Sequence, residues 1–77
     1  MEITVKYLGM IAEATGCTSE VIATDQTKVT SFLEELYKKY PDLKNMEFKV
    51  AQQQELVEVS ATITGAEIAL LPPFSGG

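Results

Sequence analysis

The group with the most distinctive chemistry in this sequence is the carboxylate at its end. Gly76 and Gly77 finish the chain after Pro72-Pro73-Phe74-Ser75. Glycine has no Cβ, so two glycines in a row give the thinnest backbone that a protein can present. Such an end can thread a narrow channel and deliver its carboxylate to the active site of another protein. The alternative is a frayed end without a function, since termini tolerate change.

The side chains offer little catalytic chemistry of their own. The chain has no histidine and one cysteine, Cys17, which excludes an imidazole base and a thiolate metal site. No residue beside Cys17 in the sequence would activate its thiol, and we interpret it as a partly buried small side chain. Gly9, Gly16 and Gly65 are isolated glycines and do not form a phosphate-binding loop. We therefore expect no free-standing active site and no cofactor bound by this chain.

Two other pairs of residues have a structural interpretation. Glu34 and Glu35 are adjacent carboxylates in a predicted helix, where such pairs usually form a solvated face. Met10 and Met46 are expected to serve packing, because methionine fills irregular gaps in a core.

The composition indicates which kind of partner the protein binds and in which compartment it is found. The net charge is −5, with six lysines and no arginine, which argues against nucleic-acid binding and fits a partner with a basic groove. A single cysteine without a signal peptide favours the cytoplasm. The longest apolar run, residues 68–71, is too short to cross a membrane.

Hydrophobic periodicity predicts the elements that must hold the C-terminal end. Alternation predicts strands at residues 3–7, 20–24, 48–51, 56–59 and 67–71. Apolar residues at helical spacing predict one main helix from Val29 to Tyr40, which Pro41 stops and which a turn at residues 25–27 could cap. Residues 8–15 form a loop or a short helical turn that Gly16 closes. The order predicts an α+β fold, with one helix packed across one face of a sheet.

The final ten residues resemble a known family signature. Residues 68–77, Ile-Ala-Leu-Leu-Pro-Pro-Phe-Ser-Gly-Gly, are similar to the end of the small subunit of molybdopterin synthase, the MoaD type of sulfur carrier in the MoaD/ThiS family. In that family a hydrophobic strand runs into Pro-Pro, two variable residues and Gly-Gly. The resemblance implies a β-grasp (ubiquitin-like) domain with a mixed sheet over residues 1–71, followed by an extended tail over residues 72–77.

The resemblance also implies a function. An adenylyltransferase of the ubiquitin-activating type would use ATP to adenylate Gly77, and a sulfur donor would convert it to a thiocarboxylate. The tail would then enter the large synthase subunit, which supplies the catalytic residues, and give its sulfur to a pterin precursor of molybdopterin.

The same resemblance assigns roles along the tail. Gly77 would carry the reactive carbon. Gly76 and Ser75 would thread the channel. The expected partner contacts are Leu71, Pro72, Pro73 and Phe74, although core packing is an equal alternative for Leu71. Six residues reach roughly 20 Å when extended, and the two prolines would stiffen the base of the tail.

Three other functions share parts of this pattern. A sulfur carrier for thiazole synthesis has the same fold and tail but usually lacks Pro-Pro. A ubiquitin-like modifier would use an activated Gly77 to form isopeptide bonds. A β-grasp interaction module without activation would carry Gly-Gly incidentally.

Overall fold

The computed structural model of the protein describes residues 1–73, which form a sheet with helical segments over one face. The elements in chain order are β1 (Glu2–Tyr7), α1 (Met10–Thr15), β2 (Ser19–Ala23), α2 (Val29–Lys39), a 3₁₀ helix (Pro41–Asn45), β3 (Lys49–Gln52), β4 (Glu55–Val57) and β5 (Glu67–Leu71).

The five strands form one mixed sheet in the order β2-β1-β5-β3-β4. The central strands β1 and β5 run parallel, with Val5 opposite Ile68 and Tyr7 opposite Leu70. The other pairs are antiparallel. This is the β-grasp arrangement, so the predicted α+β class and layering are confirmed.

One face of the sheet and the apolar side of α2 form the core. Ile3 and Val5 of β1 are fully buried, as are Ile68 and Leu70 of β5. From the helical side the core receives Ile11, Val29, Phe32, Leu33, Leu36 and Leu43. Each such side chain contributes roughly 1.5–3 kcal/mol through its burial, so β5 is held firmly in the middle of the domain.

The beginning of α2 differs from the sequence-based expectation. Residues 25–27 do not cap it: the N-cap is Lys28, and within residues 1–73 it makes no side-chain capping hydrogen bond. Instead, the N–H of Val29 donates to the carbonyl of Ala61 (3.0 Å), and the N–H of Thr30 donates to that of Val59 (2.8 Å). A distant loop therefore satisfies the first donors of the helix, which a local capping rule does not anticipate.

The short connections are more ordered than the sequence indicated. The helical turn predicted before Gly16 is the six-residue helix α1, and Gly16 ends it in a left-handed conformation (φ 80°). The connection after Pro41 is a 3₁₀ helix whose Leu43 is fully buried. The fourth strand is Glu55–Val57, shorter and earlier than predicted. Among the described residues, no helix has the length and apolar character needed to cross a membrane.

Candidate functional site

The C-terminal strand β5 positions the start of the tail. It lies between β1 and β3. The N–H of Leu8 donates to the carbonyl of Leu70 (3.1 Å), which extends the hydrogen bonding between the two chain segments one residue beyond the end of β1. Leu71 ends the strand, and Pro72 and Pro73 follow without backbone donors of their own. We call Leu71, Pro72 and Pro73 the tail root.

The tail root is braced by the start of α1. Gly9 has φ 59°, and a Cβ added to it would lie only 2.8 Å from Cγ of Pro72. The backbone of Gly9 thus approaches the proline ring more closely than a residue with a side chain could without movement. Together with the Leu8–Leu70 hydrogen bond, this contact fixes the direction in which the chain leaves the sheet.

The sheet face opposite the helix carries a shallow apolar depression that reaches the tail root. Its volume is about 420 Å³, and its apolar lining is Leu8, Ala51, Leu56, Ala69 and Leu71. Leu8 is 42% exposed and Leu56 is 59% exposed. We call these five residues the open sheet face. Exposed leucines over a floor of alanines leave room for side chains of a docking protein.

Polar groups surround the open sheet face. Lys6 and Glu67 form an ion pair (3.5 Å) on neighbouring strands. Gln53 and Gln54 form the turn between β3 and β4, both with positive φ (51° and 65°). An apolar centre with a polar rim is the usual composition of a protein–protein interface.

A second apolar depression lies beside the tail root, next to α1. Its volume is about 360 Å³. We call it the α1 groove, and its lining is Met10, Ile11, Asn45, Met46, Glu47, Pro72 and Pro73. Met46 is partly buried against the core, as expected, but Met10 is 64% exposed. The packing role predicted for Met10 is therefore wrong: it begins a helix whose inward side chain is Ile11.

Only the first part of the predicted site falls within the described residues. Leu71 is half-buried on the open sheet face and does not belong to the buried core. Pro72 is half-buried and Pro73 is exposed. Phe74, Ser75, Gly76 and Gly77 lie outside the described residues, so their predicted roles stay predictions.

The surfaces beside the tail root include residues that sequence reasoning missed. Leu8, Met10 and Leu56 were not assigned to the site, although each is apolar and exposed. The alternation of side chains along β4 places Leu56 on the sheet face opposite to that of Val57. Leu56 pairs with Ala51, which in turn pairs with Ala69, so the three side chains share one face. That Leu56 lies on the same face as Leu71 can be deduced only once the strand order is known.

The titratable side chains converge elsewhere, around Glu20. Its carboxylate accepts hydrogen bonds from the hydroxyls of Tyr7 and Tyr40 and from Nζ of Lys39, each at 2.6 Å. Burial opposes ionisation, but the hydrogen bonds from Lys39, Tyr40 and Tyr7 outweigh it and lower the pKa of Glu20 to about 2. We call these four residues the Glu20 cluster. They tie β1 and β2 to the end of α2.

The Glu20 cluster accounts for the protonation of Tyr7 and lies next to Cys17. Burial, followed by the hydrogen bond to Glu20, raises the pKa of Tyr7 above its ordinary value, so its hydroxyl stays a donor. Cys17 is half-buried, as expected, with Sγ 3.9 Å from Oε2 of Glu20. Its Sγ also lies 3.9 Å from the hydroxyl of Thr15.

The adjacent carboxylates of α2 have different environments. Glu34 is exposed, as predicted. Glu35 is not simply solvated: it accepts a hydrogen bond from the hydroxyl of Thr24 (2.7 Å) and another from Nε2 of Gln26 (3.3 Å). Among residues 1–73, no group of three or more His, Cys, Asp or Glu side chains could hold a metal ion.

The fold and the tail root define the class first: this is a ubiquitin-like β-grasp protein whose last central strand leads directly into its C-terminal segment. The chain belongs to the ThiS family, whose family model matches residues 5–77. This confirms the resemblance seen in the sequence.

Individual relatives agree with that assignment. The chain is 34% identical over 83 aligned residues to the human molybdopterin synthase sulfur carrier subunit, with 99% of this chain and 94% of the human protein covered. Small archaeal modifier protein 1 from Methanosarcina acetivorans is 27% identical, with 99% and 96% coverage and a TM-score of 0.76. A chain of the complex of subunits 1 and 2 of molybdopterin-converting factor from Helicobacter pylori shares the fold, with 23% identity, full coverage of both chains and a TM-score of 0.69.

Proposed function

We propose that this protein is the sulfur carrier of molybdopterin formation, with Gly77 as the residue that carries sulfur. The observation that supports this most strongly is the 34% identity to the human molybdopterin synthase sulfur carrier subunit over nearly the whole chain. The division into a domain of residues 1–71 and a tail of residues 72–77 is part of the proposal.

The chemistry follows from the weakness of a carboxylate as an electrophile. An activating enzyme joins the Gly77 carboxylate to the α-phosphate of ATP, which forms an acyl-adenylate and releases pyrophosphate. Attack by sulfide-level sulfur from a donor breaks the acyl–phosphate bond, releases AMP and leaves a thiocarboxylate. When that sulfur passes to a pterin precursor and water takes its place at the acyl carbon, the carboxylate returns and the carrier can be reloaded.

The structure gives this chemistry a rigid starting point. The carbonyl of Leu70 is held by the N–H of Leu8, and Pro72 is pressed against Gly9. The remaining tail is long enough to reach an active site roughly 20 Å from the domain. Prolines at its base reduce the conformational entropy lost when such a tail enters a channel.

Two kinds of protein would bind the carrier during this cycle. One is an adenylyltransferase of the ubiquitin-activating type, which binds the ATP, and the other is the large subunit of the synthase, with its catalytic residues. The likeness to a chain in the Helicobacter pylori complex of subunits 1 and 2 supports a two-subunit assembly. We propose the open sheet face as the docking surface, because it is apolar, exposed and continuous with Leu71.

The remaining features of the proposal come from the sequence. A net charge of −5 suits partners with basic surfaces and does not suit a nucleic acid. A single cysteine suits a reducing cytoplasm.

The decisive experiment is the intact mass of the protein after incubation with the activating enzyme, ATP and a sulfur donor. We expect a mass gain equal to the replacement of one oxygen by sulfur, located in the C-terminal peptide. Gly76→Ala serves as a matched variant: it should fold normally and load much more slowly, because a Cβ would meet the channel wall. Absence of any ATP-dependent mass change in the unmodified protein would contradict the proposal.

A second function is favoured by one comparison. The 27% identity to a small archaeal modifier protein supports the attachment of an activated Gly77 to lysines of other proteins. This reaction begins with the same acyl-adenylate but ends at an amine. Incubation with the activating enzyme and ATP in a cell extract, without a sulfur donor, would reveal it as conjugates that contain an isopeptide bond to Gly77.

A further inference from the structure

We propose that Lys6 and Lys49 are charged docking contacts, and that the surface of the large synthase subunit that covers the open sheet face carries carboxylates placed to meet them. This inference rests on the proposed function, because that function supplies the partner. It specifies the chemistry of the partner's surface at the place of contact.

Both lysines lie on the same side of the sheet as the open sheet face. Lys6 of β1 pairs with Ala69, and Lys49 of β3 pairs with Leu71 at the end of the same central strand. Paired residues on neighbouring strands point to the same face, and both lysines are exposed. Their strands flank β5, so the two residues lie roughly 10 Å apart across the sheet.

The charges on this side of the sheet are separated along the strands. Glu2 begins β1 and Glu67 begins β5, and each precedes a buried residue, so both glutamates also point away from the core. The two lysines lie at the other end of the sheet, beside the tail root. Because these four charges cancel, the net charge of −5 is carried by the rest of the chain. The end of the sheet beside the tail root is therefore locally positive in an acidic protein.

Neither lysine is held by a strong interaction within the fold. Lys6 forms a loose ion pair with Glu67 (3.5 Å), and both side chains are more than half exposed. Exposed ion pairs of this kind contribute little to stability. In the described part of the chain, Lys49 forms no ion pair. Lys39 differs from both, because Glu20 binds its Nζ at 2.6 Å. Lys6 and Lys49 are thus available to a partner.

The two lysines border the apolar residues that a docking protein would cover. Lys6 lines the same depression as Leu8 and Leu71, and Lys49 lies beside Leu71 on the next strand. A partner that covers the leucines excludes water from the ammonium groups, and an unmatched cation in such a place is costly. Carboxylates on the partner remove that cost by accepting hydrogen bonds. The net charge of the carrier acts over a distance, whereas the contact at the tail root requires the opposite sign on the partner.

Two variants with the same net charge test this assignment. Lys49→Glu and Lys38→Glu each lower the net charge by two, but Lys38 is exposed on α2, which packs against the other side of the sheet. We expect Lys49→Glu to weaken binding to the isolated large synthase subunit about tenfold at low salt, mainly through slower association. Lys38→Glu should leave the affinity within about twofold, since its charge lies outside the contact. Surface plasmon resonance measures both rates.

Three further variants separate charge from packing. Lys49→Arg keeps the charge and should bind within about twofold of the unmodified carrier. Lys49→Met keeps an apolar stem without the charge and should bind more weakly. Lys6→Met should have a smaller effect in the same direction, because Glu67 already shields Lys6. All these differences should shrink near 1 M salt, where charges are screened within about 3 Å. Thermal unfolding checks that each variant is folded.

Several results would overturn the assignment. Equal losses for Lys49→Glu and Lys38→Glu would show that only the net charge matters. Tighter binding of Lys49→Glu would place basic groups on the partner's surface. Self-association of the carrier that is lost in Lys49→Glu would make a second copy the occupant.

Sulfur loading of the same samples tests the proposed function separately. A carrier that gains the sulfur mass, while Lys49→Glu binds as well as Lys38→Glu, contradicts only the assignment of the lysines. A carrier without that mass gain contradicts the proposed function, whatever the lysine variants do.

Discussion

The Glu20 cluster and the tail root use their side chains in opposite ways. The cluster holds a carboxylate, two phenols and an ammonium group, the kinds of residue that build active sites, yet the phenols and the ammonium group all donate to the one carboxylate at 2.6 Å. The tail root and the surfaces beside it are apolar, and Leu8, Met10 and Leu56 remain exposed. Titratable side chains therefore converge in a region that stabilises the fold, and exposed apolar side chains lie in the region that we propose to be functional.

The largest expected effect tests the functional side of this comparison. Deleting Gly76 and Gly77 should abolish sulfur loading, because the chain would end in Ser75, short of the activating centre. The free energy of unfolding should change by no more than a few tenths of a kcal/mol, since glycine has no side chain to contribute to an apolar core. Intact mass and thermal unfolding of the same sample measure both quantities. A large drop in Tm would show that the end is packed into the domain and would reverse the comparison.

The second prediction concerns the Glu20 cluster and the pH dependence of the protein's stability. The pKa of Glu20 lies at about 2 in the folded protein, against an ordinary value of 4.5. A lowered pKa stabilises the fold above pH 4.5, and this stabilisation is lost progressively as the pH falls toward 2. The difference between the two values sets an upper limit of about 3 kcal/mol, and solvent screening at the half-exposed Lys39 reduces the contribution below that limit. Denaturant unfolding between pH 7 and pH 2 measures the loss.

The control for this titration is Glu20→Gln, which keeps the shape of the side chain and removes its charge. It should lower the stability at pH 7 by about 1–3 kcal/mol, because the hydroxyls of Tyr7 and Tyr40 and the ammonium group of Lys39 lose a charged acceptor. It should also flatten the pH dependence. An unchanged slope in the variant would place the acid sensitivity on other carboxylates.

The third prediction concerns docking and uses two residues that are equally exposed. Leu56 and Val21 are each 59% exposed on the same side of the sheet, but Leu56 lies near the tail root and Val21 lies on the far edge strand β2. Leu56→Ala should weaken binding to the activating enzyme or the large subunit about tenfold, as expected for a side chain buried on docking. Val21→Ala should change the affinity little, and titration calorimetry distinguishes the two. Equal losses would mean that the docking surface covers the whole sheet.

The sequence predicted the fold better than it predicted the surface. The apolar periodicity of α2 and the alternation of β1 depend on local spacing, so they identified the helix, the strand and their buried residues correctly. The cap of α2 could not be predicted, because its acceptors Val59 and Ala61 lie about thirty residues away in the chain.

The same reason explains what was missed at the candidate site. Leu71, Pro72 and Pro73 were predicted from a contiguous motif, whereas Leu8 and Leu56 join them only through the strand order. The Glu20 cluster was missed because its members are separated by up to 33 positions, and a lone glutamate in a strand carries no signal of its own. Local patterns predicted the elements, and pairing between distant strands decided which side chains meet.

The smallest expected effect is that of replacing the cysteine. Cys17→Ser should load sulfur at the rate of the unmodified protein, because we propose that Gly77 and not Cys17 carries the sulfur. Cys17 contacts the side chains of Thr15 and Glu20, and a serine hydroxyl can occupy the same half-buried position. Intact mass after incubation with the activating enzyme, ATP and a sulfur donor should show the same gain in both proteins, and the gain should be stable to reduction by dithiothreitol. Failure of the serine variant to load would assign the sulfur to the thiol, and the reactive group would then lie next to the Glu20 cluster, against the division of roles between the two regions.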